Sequence, residues 1–116
     1  MDIGNILYVY LTDLKSNLVM LQTLKPDKFC KVVGITPVKG GKDGEQYMKY
    51  ELQSLYNKNK VYIVNNYLSP YQYCTLEELE NTMEEVKELI QPERFKDMSY
   101  LLNKTKEAIM NDGKDI

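Results

Sequence analysis

The chain has 116 residues, 43% of them hydrophobic and 28% charged, with a formal net charge of −2. That composition supplies one domain, residues 1–116, with a core of its own, and it argues against both a disordered chain and a polycation. There is no histidine, no tryptophan and a single arginine, Arg94, which removes imidazole-based metal binding and the usual base for nucleophilic catalysis.

The opening residues Met1-Asp2-Ile3-Gly4-Asn5 lack the basic region of a secretory signal. The apolar stretch Ile6–Leu11 is far shorter than the ~20 residues a membrane-spanning helix needs. The expectation is a cytoplasmic protein with no membrane role. Ile3, Leu7, Tyr10, Leu14, Asn17, Leu21 and Leu24 recur at alternating spacings of four and three, and Pro26 follows them. This pattern predicts an N-terminal helix. The β-branched and aromatic run Ile6-Leu7-Tyr8-Val9-Tyr10 supports the alternative, a β-hairpin built from residues 6–11 and 18–24. Asn17, the polar member of the helical stripe, is the residue that would set the register of a homodimer.

The middle of the chain reads as strand. Residues 29–36 form a short apolar run closed by Pro37, and Gly40-Gly41-Lys42-Asp43-Gly44 reads as a polar loop. The loop does not match a phosphate-cradling motif, because Asp43 follows Gly41-Lys42 where Ser or Thr is required, and Thr36 stands where the first glycine belongs. Residues 47–56 and 61–68 flank Asn57-Lys58-Asn59-Lys60, a hairpin signal. Pairing Tyr56 with Val61 predicts one buried face carrying Met48, Tyr50, Leu52, Tyr56, Val61, Ile63 and Tyr67. Lys49, Glu51, Gln53 and Asn66 fall on the wetter face.

The end reads as a pair of helices. Thr75-Leu76-Glu77-Glu78 is a capping box, and Leu76, Leu79, Met83, Val86 and Ile90 make one apolar stripe. Pro92 suits the first position of a second helix, whose stripe is Phe95, Met98, Leu101, Leu102, Thr105 and Ile109, with Gly113 as its stop. The fold class expected is therefore α+β: an N-terminal helix or hairpin, a small antiparallel sheet of about three strands, and a C-terminal helix pair.

Little in the chain suits bond-making chemistry. Cys30 and Cys74 are neither a CxxC pair nor a zinc knuckle, and the spacing of a calcium-binding loop is absent. No catalytic residue, metal or cofactor is expected. Two features stand out instead. Residues 75–91 hold six Glu and one Lys, a net of −5, against +3 for residues 1–74. Glu77, Glu80, Glu84 and Glu88 would form a negative strip, and like charges four apart on a helix cost roughly 0.2–0.5 kcal/mol per pair. The second feature is ten tyrosines against two phenylalanines, with Tyr67, Tyr71 and Tyr73 crowded ahead of the acidic helix. Tyrosine gives large contact area with a polar tip, which suits interfaces.

Together these features suggest a small non-enzymatic protein-binding module. Its most concrete form is a phage or mobile-element inhibitor or adaptor that sets the glutamates and tyrosines on a basic, nucleic-acid-binding surface of a host or defence protein. Two alternatives stand behind the binding module: a nucleic-acid-binding accessory protein using Lys39, Lys42, Lys58 and Lys60 among the tyrosines of the sheet, and a homodimeric structural protein. The acidic balance, the lone arginine and the lack of an RNP-type motif weigh against the first.

Overall fold

The computed structural model describes residues 1–39, 44, 46–65 and 69–111. The protein is α+β. In chain order come β1 (Ile6–Leu11), α1 (Leu14–Leu21), a 3-10 turn (Pro26–Lys28), β2 (Phe29–Lys39), β3 (Gln46–Ser54), β4 (Val61–Asn65) and β5 (Tyr71–Thr75). Then follow α2 (Leu76–Glu85), a second 3-10 turn (Lys87–Leu89) and α3 (Pro92–Met110). The five strands form one antiparallel sheet in the order β4-β3-β2-β1-β5. The Lys42 and Gly113 expectations, and those on Asn66 and Tyr67, fall outside the described residues.

The long N-terminal helix is corrected: a strand comes first, then a helix of eight residues. The hairpin alternative placed a strand correctly at Ile6–Leu11 but not at 18–24, which overlaps α1. The physical reason lies in burial. Leu7, Tyr8, Val9 and Tyr10 are all buried, so this strand has no wet face and no polar alternation to betray it. Ile3, a member of the helical pattern, is instead 60% exposed. Between β1 and α1, Thr12 adopts a left-handed φ of 68°. Asp13 then caps α1, its carboxylate accepting from the Ser16 amide at 3.1 Å and the Ser16 hydroxyl at 2.9 Å. The Asn17 side-chain amide nitrogen donates to the Leu11 carbonyl at 3.1 Å, a tie between α1 and the end of β1.

The sheet has five strands rather than about three, because β1 and β5 add to the predicted β2, β3 and β4. β2 also runs through Pro37 to Lys39. Beyond Val32 its paired neighbour is β3 alone, so the missing N–H of Pro37 leaves no ladder bond unmade on the open side. A bulge between Val32 and Gly34 shifts the register by one and keeps Val32 and Ile35 on the same face.

The predicted β3–β4 register is corrected too. Leu52 pairs with Tyr62 and Gln53 with Val61, not Tyr56 with Val61. This shift of odd length turns β4 over: Tyr62 and Val64 point inward, while Val61 and Ile63 are 49% and 40% exposed. The Ser54 amide closes the loop on the Lys60 carbonyl at 3.0 Å, which leaves Tyr56 in the loop and outside the ladder. Tyr56 leaves the strand and shares a 2.7 Å hydrogen bond with the Thr105 hydroxyl on α3.

Two cores share the sheet. On one face Tyr8 and its cross-strand partners Phe29 and Cys74 pack with Leu18, Leu79, Met83, Met98 and Leu102 of the three helices. On the other, Leu7, Val9, Cys30, Val32, Leu52, Tyr62 and Val64 pack on each other with no helix over them among the described residues. A sheet can bury that face only by curling. Its edge strands approach, and the rings of Tyr62 on β4 and Tyr71 on β5 meet edge to face at 5.3 Å. Ser69 links the same two strands. Its hydroxyl donates to the Ile63 carbonyl at 3.0 Å and accepts from the Tyr71 amide at 3.1 Å. The curl also shields edges that would otherwise be free to pair with other chains.

The helical end agrees with the local signals. The Glu78 amide donates to the Thr75 hydroxyl at 3.1 Å and the Thr75 amide to the Glu78 carboxylate at 3.2 Å. Leu79, Met83, Val86 and Ile90 are buried, and Pro92 opens α3. No helix among the described residues is long and apolar enough to cross a membrane.

Candidate functional site

The acidic residues lie on the outer side of the helix layer. Glu77, Glu80, Glu84 and Glu88 are all exposed. Two neighbouring lysines reach the margins of this face: Lys106 of α3 pairs with Glu80, and Lys15 of α1 pairs with Glu85 at 2.8 Å. Glu77, Glu84 and Glu88 make no ion pair among the described residues. Glu88 belongs to the 3-10 turn after α2, so it departs from the four-residue row that joins Glu80 and Glu84.

The tyrosines do not join this face. Tyr71 and Tyr73 alternate with Gln72 and Cys74 along β5. Val9 opposes Tyr73 and Tyr8 opposes Cys74, so both tyrosines belong to the curled inner face and Cys74 to the helix side. The sheet therefore stands between Tyr71 and Tyr73 and the carboxylates of α2.

The predicted lysines are also separated. Lys58 and Lys60 sit in the β3–β4 turn, beside the start of β2, whereas Lys39 ends β2. At about 3.3 Å per residue the two ends of β2 lie roughly 30 Å apart. Lys39 and Lys60 do not form one patch.

A cluster that no sequence spacing announces gathers at the mouth of the curled sheet. Asp27, in the 3-10 turn before β2, accepts a 2.6 Å hydrogen bond from the Tyr62 hydroxyl and a 3.1 Å bond from the Lys60 ammonium. The hydroxyl, then the ammonium, hold the Asp27 carboxyl below its ordinary range. Burial and the same carboxylate push the Tyr62 phenol up. The Lys28 ammonium stands 4.1 Å from the centre of the Tyr62 ring and 4.9 Å from that of Tyr71. Burial pushes its pKa down. Lys25, Lys28, Lys60, Ile63, Ser69 and Tyr71 help line an open cleft of about 910 Å³. A smaller hollow of about 290 Å³ shares Asn65, Ser69 and Tyr71 and continues past Tyr73. Of this cluster the sequence singled out Lys60 and Tyr71 as candidate site residues. Asp27 is 35 residues from Tyr62, a pairing that only the fold creates.

Cys30 and Cys74 are free and buried, one in each core. Burial pushes both thiols up to about 12, and a thiol kept protonated is a poor nucleophile. Among the described residues no three His, Cys, Asp or Glu side chains gather as a metal site would require.

No protein-family model, curated protein or solved structure matches the chain.

Proposed function

We propose that this chain is a small non-enzymatic protein-binding module that presents the carboxylates of α2 and its following turn to a basic surface. Glu77, Glu84 and Glu88 are the contact groups, with Glu80 at the margin. The observation that carries the reading is an imbalance: lysines from both neighbouring helices neutralise Glu80 and Glu85, yet these three carboxylates stay exposed and make no ion pair among the described residues. Surface pairs are worth roughly 0–1 kcal/mol, so leaving them unmade costs the fold little and keeps the charge available. A negative strip on a rigid helix speeds encounter with a positive groove and rejects acidic partners. A groove that otherwise receives nucleic-acid phosphates is the natural counterpart. An inhibitor or adaptor carried by a phage or mobile element, acting on a host or defence protein, is the concrete form of this reading. Tyr71 and Tyr73 are not assigned to this contact.

The test is capture from a low-GC bacterial lysate by the wild type and by Glu77→Lys/Glu84→Lys/Glu88→Lys, read by mass spectrometry. Nucleic-acid-binding proteins should be retained by the wild type, released by added DNA or by high salt, and lost from the variant at an unchanged melting temperature. Equal retention by both proteins would refute the proposal.

A further inference from the structure

The cleft at the mouth of the curled sheet carries an inference that does not depend on the acidic face. Lys25, Lys28 and Lys60 line it, and the neighbouring carboxylate is Asp27. Asp27 is already engaged by the Tyr62 hydroxyl and by Lys60. Lys28 is held over two aromatic rings and makes no ion pair among the described residues, the Asp27 carboxylate acting on it only through space. Lys25 is exposed and makes no ion pair among the described residues. Three ammoniums against one carboxylate leave a local charge of about +2, which a phosphate monoester, carrying about −1.5 to −2 at neutral pH, balances better than a single carboxylate does.

The rest of the cleft indicates what accompanies the phosphate. An opening of about 910 Å³ is far larger than a bare phosphate ion and falls in the range of small-molecule sites. Beside the ammoniums it offers the apolar side chains of Val61 and Ile63, which are 49% and 40% exposed, together with Pro70 and Tyr71. A flat ring laid on that rim would cover apolar surface that now faces water.

We infer that the cleft between β4, β5 and the 3-10 turn before β2 binds a small nucleoside phosphate, its phosphate held by Lys28 and Lys25 and its ring lying against Ile63 and Tyr71. Lys60, tethered by Asp27, flanks the phosphate. Burial pushes the Lys28 pKa down against the opposing pull of the Asp27 carboxylate, so a further anion in the cleft would stabilise the ammonium.

Titration of the ¹⁵N-labelled protein with ADP, inorganic phosphate and adenosine tests this. ADP should give saturable amide shifts at Lys28, Ile63 and Tyr71, phosphate weaker shifts at Lys28 alone, and adenosine none at equal concentration. Lys28→Ala and Lys25→Ala should each weaken ADP binding about tenfold or more, while Lys104→Ala, outside the cleft, should leave it unchanged. If Lys28→Ala unfolds the cap over the rings, exposed Lys25 still decides the matter. Absence of saturable shifts at 10 mM ADP, or equal affinity in Lys25→Ala, would overturn the site. A ten-residue thymidine oligonucleotide binding far more tightly than ADP would overturn the small-ligand assignment. The triple glutamate variant should bind ADP as the wild type does, so this inference and the acidic-face proposal fail separately.

Discussion

The ring of Tyr62 meets the ring of Tyr71 at 5.3 Å, joining the two outermost strands of a sheet in which β4 and β5 stand at opposite ends of the strand order. Lys28 stands over both rings, and Ser69 bonds to the backbone of both strands. This closure explains how Leu7, Val9, Cys30, Val32 and Leu52 are buried with no helix above them among the described residues. It also creates the mouth where the lysine-lined cleft lies.

The Asp27–Tyr62 bond predicts how stability responds to acid. The folded-state pKa of Asp27 is lowered from its ordinary 3.8. Such a group contributes stability that is fully present above the unfolded value and is lost as pH falls through the folded one. Tyr62→Phe removes the first cause of the shift. It should lower stability at neutral pH by about 1.5–3 kcal/mol, the scale of a hydrogen bond to a charged group. It should also flatten the loss of melting temperature below pH 4. Circular-dichroism melts between pH 2 and 7 measure both effects, and parallel acid limbs in wild type and variant would contradict this account.

The two thiols should behave as core atoms. Both are pushed up to about 12 by burial, and the sheet separates them. Neither Cys30 nor Cys74 should react with a chromogenic disulfide reagent in the folded protein at pH 8. Both should react promptly in 6 M guanidinium chloride, and oxidant should produce no intramolecular disulfide without unfolding. Rapid native labelling of one thiol would place it at the surface.

Thr12 is a backbone strain with a simple remedy. A β-branched residue at φ 68° is disfavoured by roughly 1–2 kcal/mol. Glycine removes that cost but loses more chain entropy on folding, about 0.5–1 kcal/mol. Thr12→Gly should therefore raise stability by about 0.5–1 kcal/mol, or the melting temperature by about 2–5 °C. A lower melting temperature would mean that the threonine side chain contributes more than its backbone costs. Its hydroxyl makes only a long 3.5 Å contact with the Asp13 carbonyl.

Much of the helical end was legible because its determinants lie within a few residues of each other. Thr75 and Glu78 cap each other, Pro92 needs no amide partner at the start of α3, and the stripe from Leu79 to Ile90 is read from spacing alone. The hairpin around residues 57–60 is likewise local, but its register is not. The loop closes between Ser54 and Lys60, so Tyr56 lies outside the ladder, where it bonds to Thr105, 49 residues distant, and every side chain of β4 lies on the face opposite to the expected one. β1 was obscured for a related reason: buried on both sides, it carries no alternation.

The candidate sites divide along the same line. Exposed glutamates on a short amphipathic helix follow from the order of residues, because a stripe that buries one side of α2 leaves the other in water. Which of them would stay unpaired depended on the reach of Lys15 and Lys106 from helices distant in sequence. The cleft of Asp27, Lys28, Tyr62 and Tyr71 is wholly a product of the curled sheet. Side-chain periodicity fixes faces within one element, whereas curvature and long-range pairing decide which faces meet.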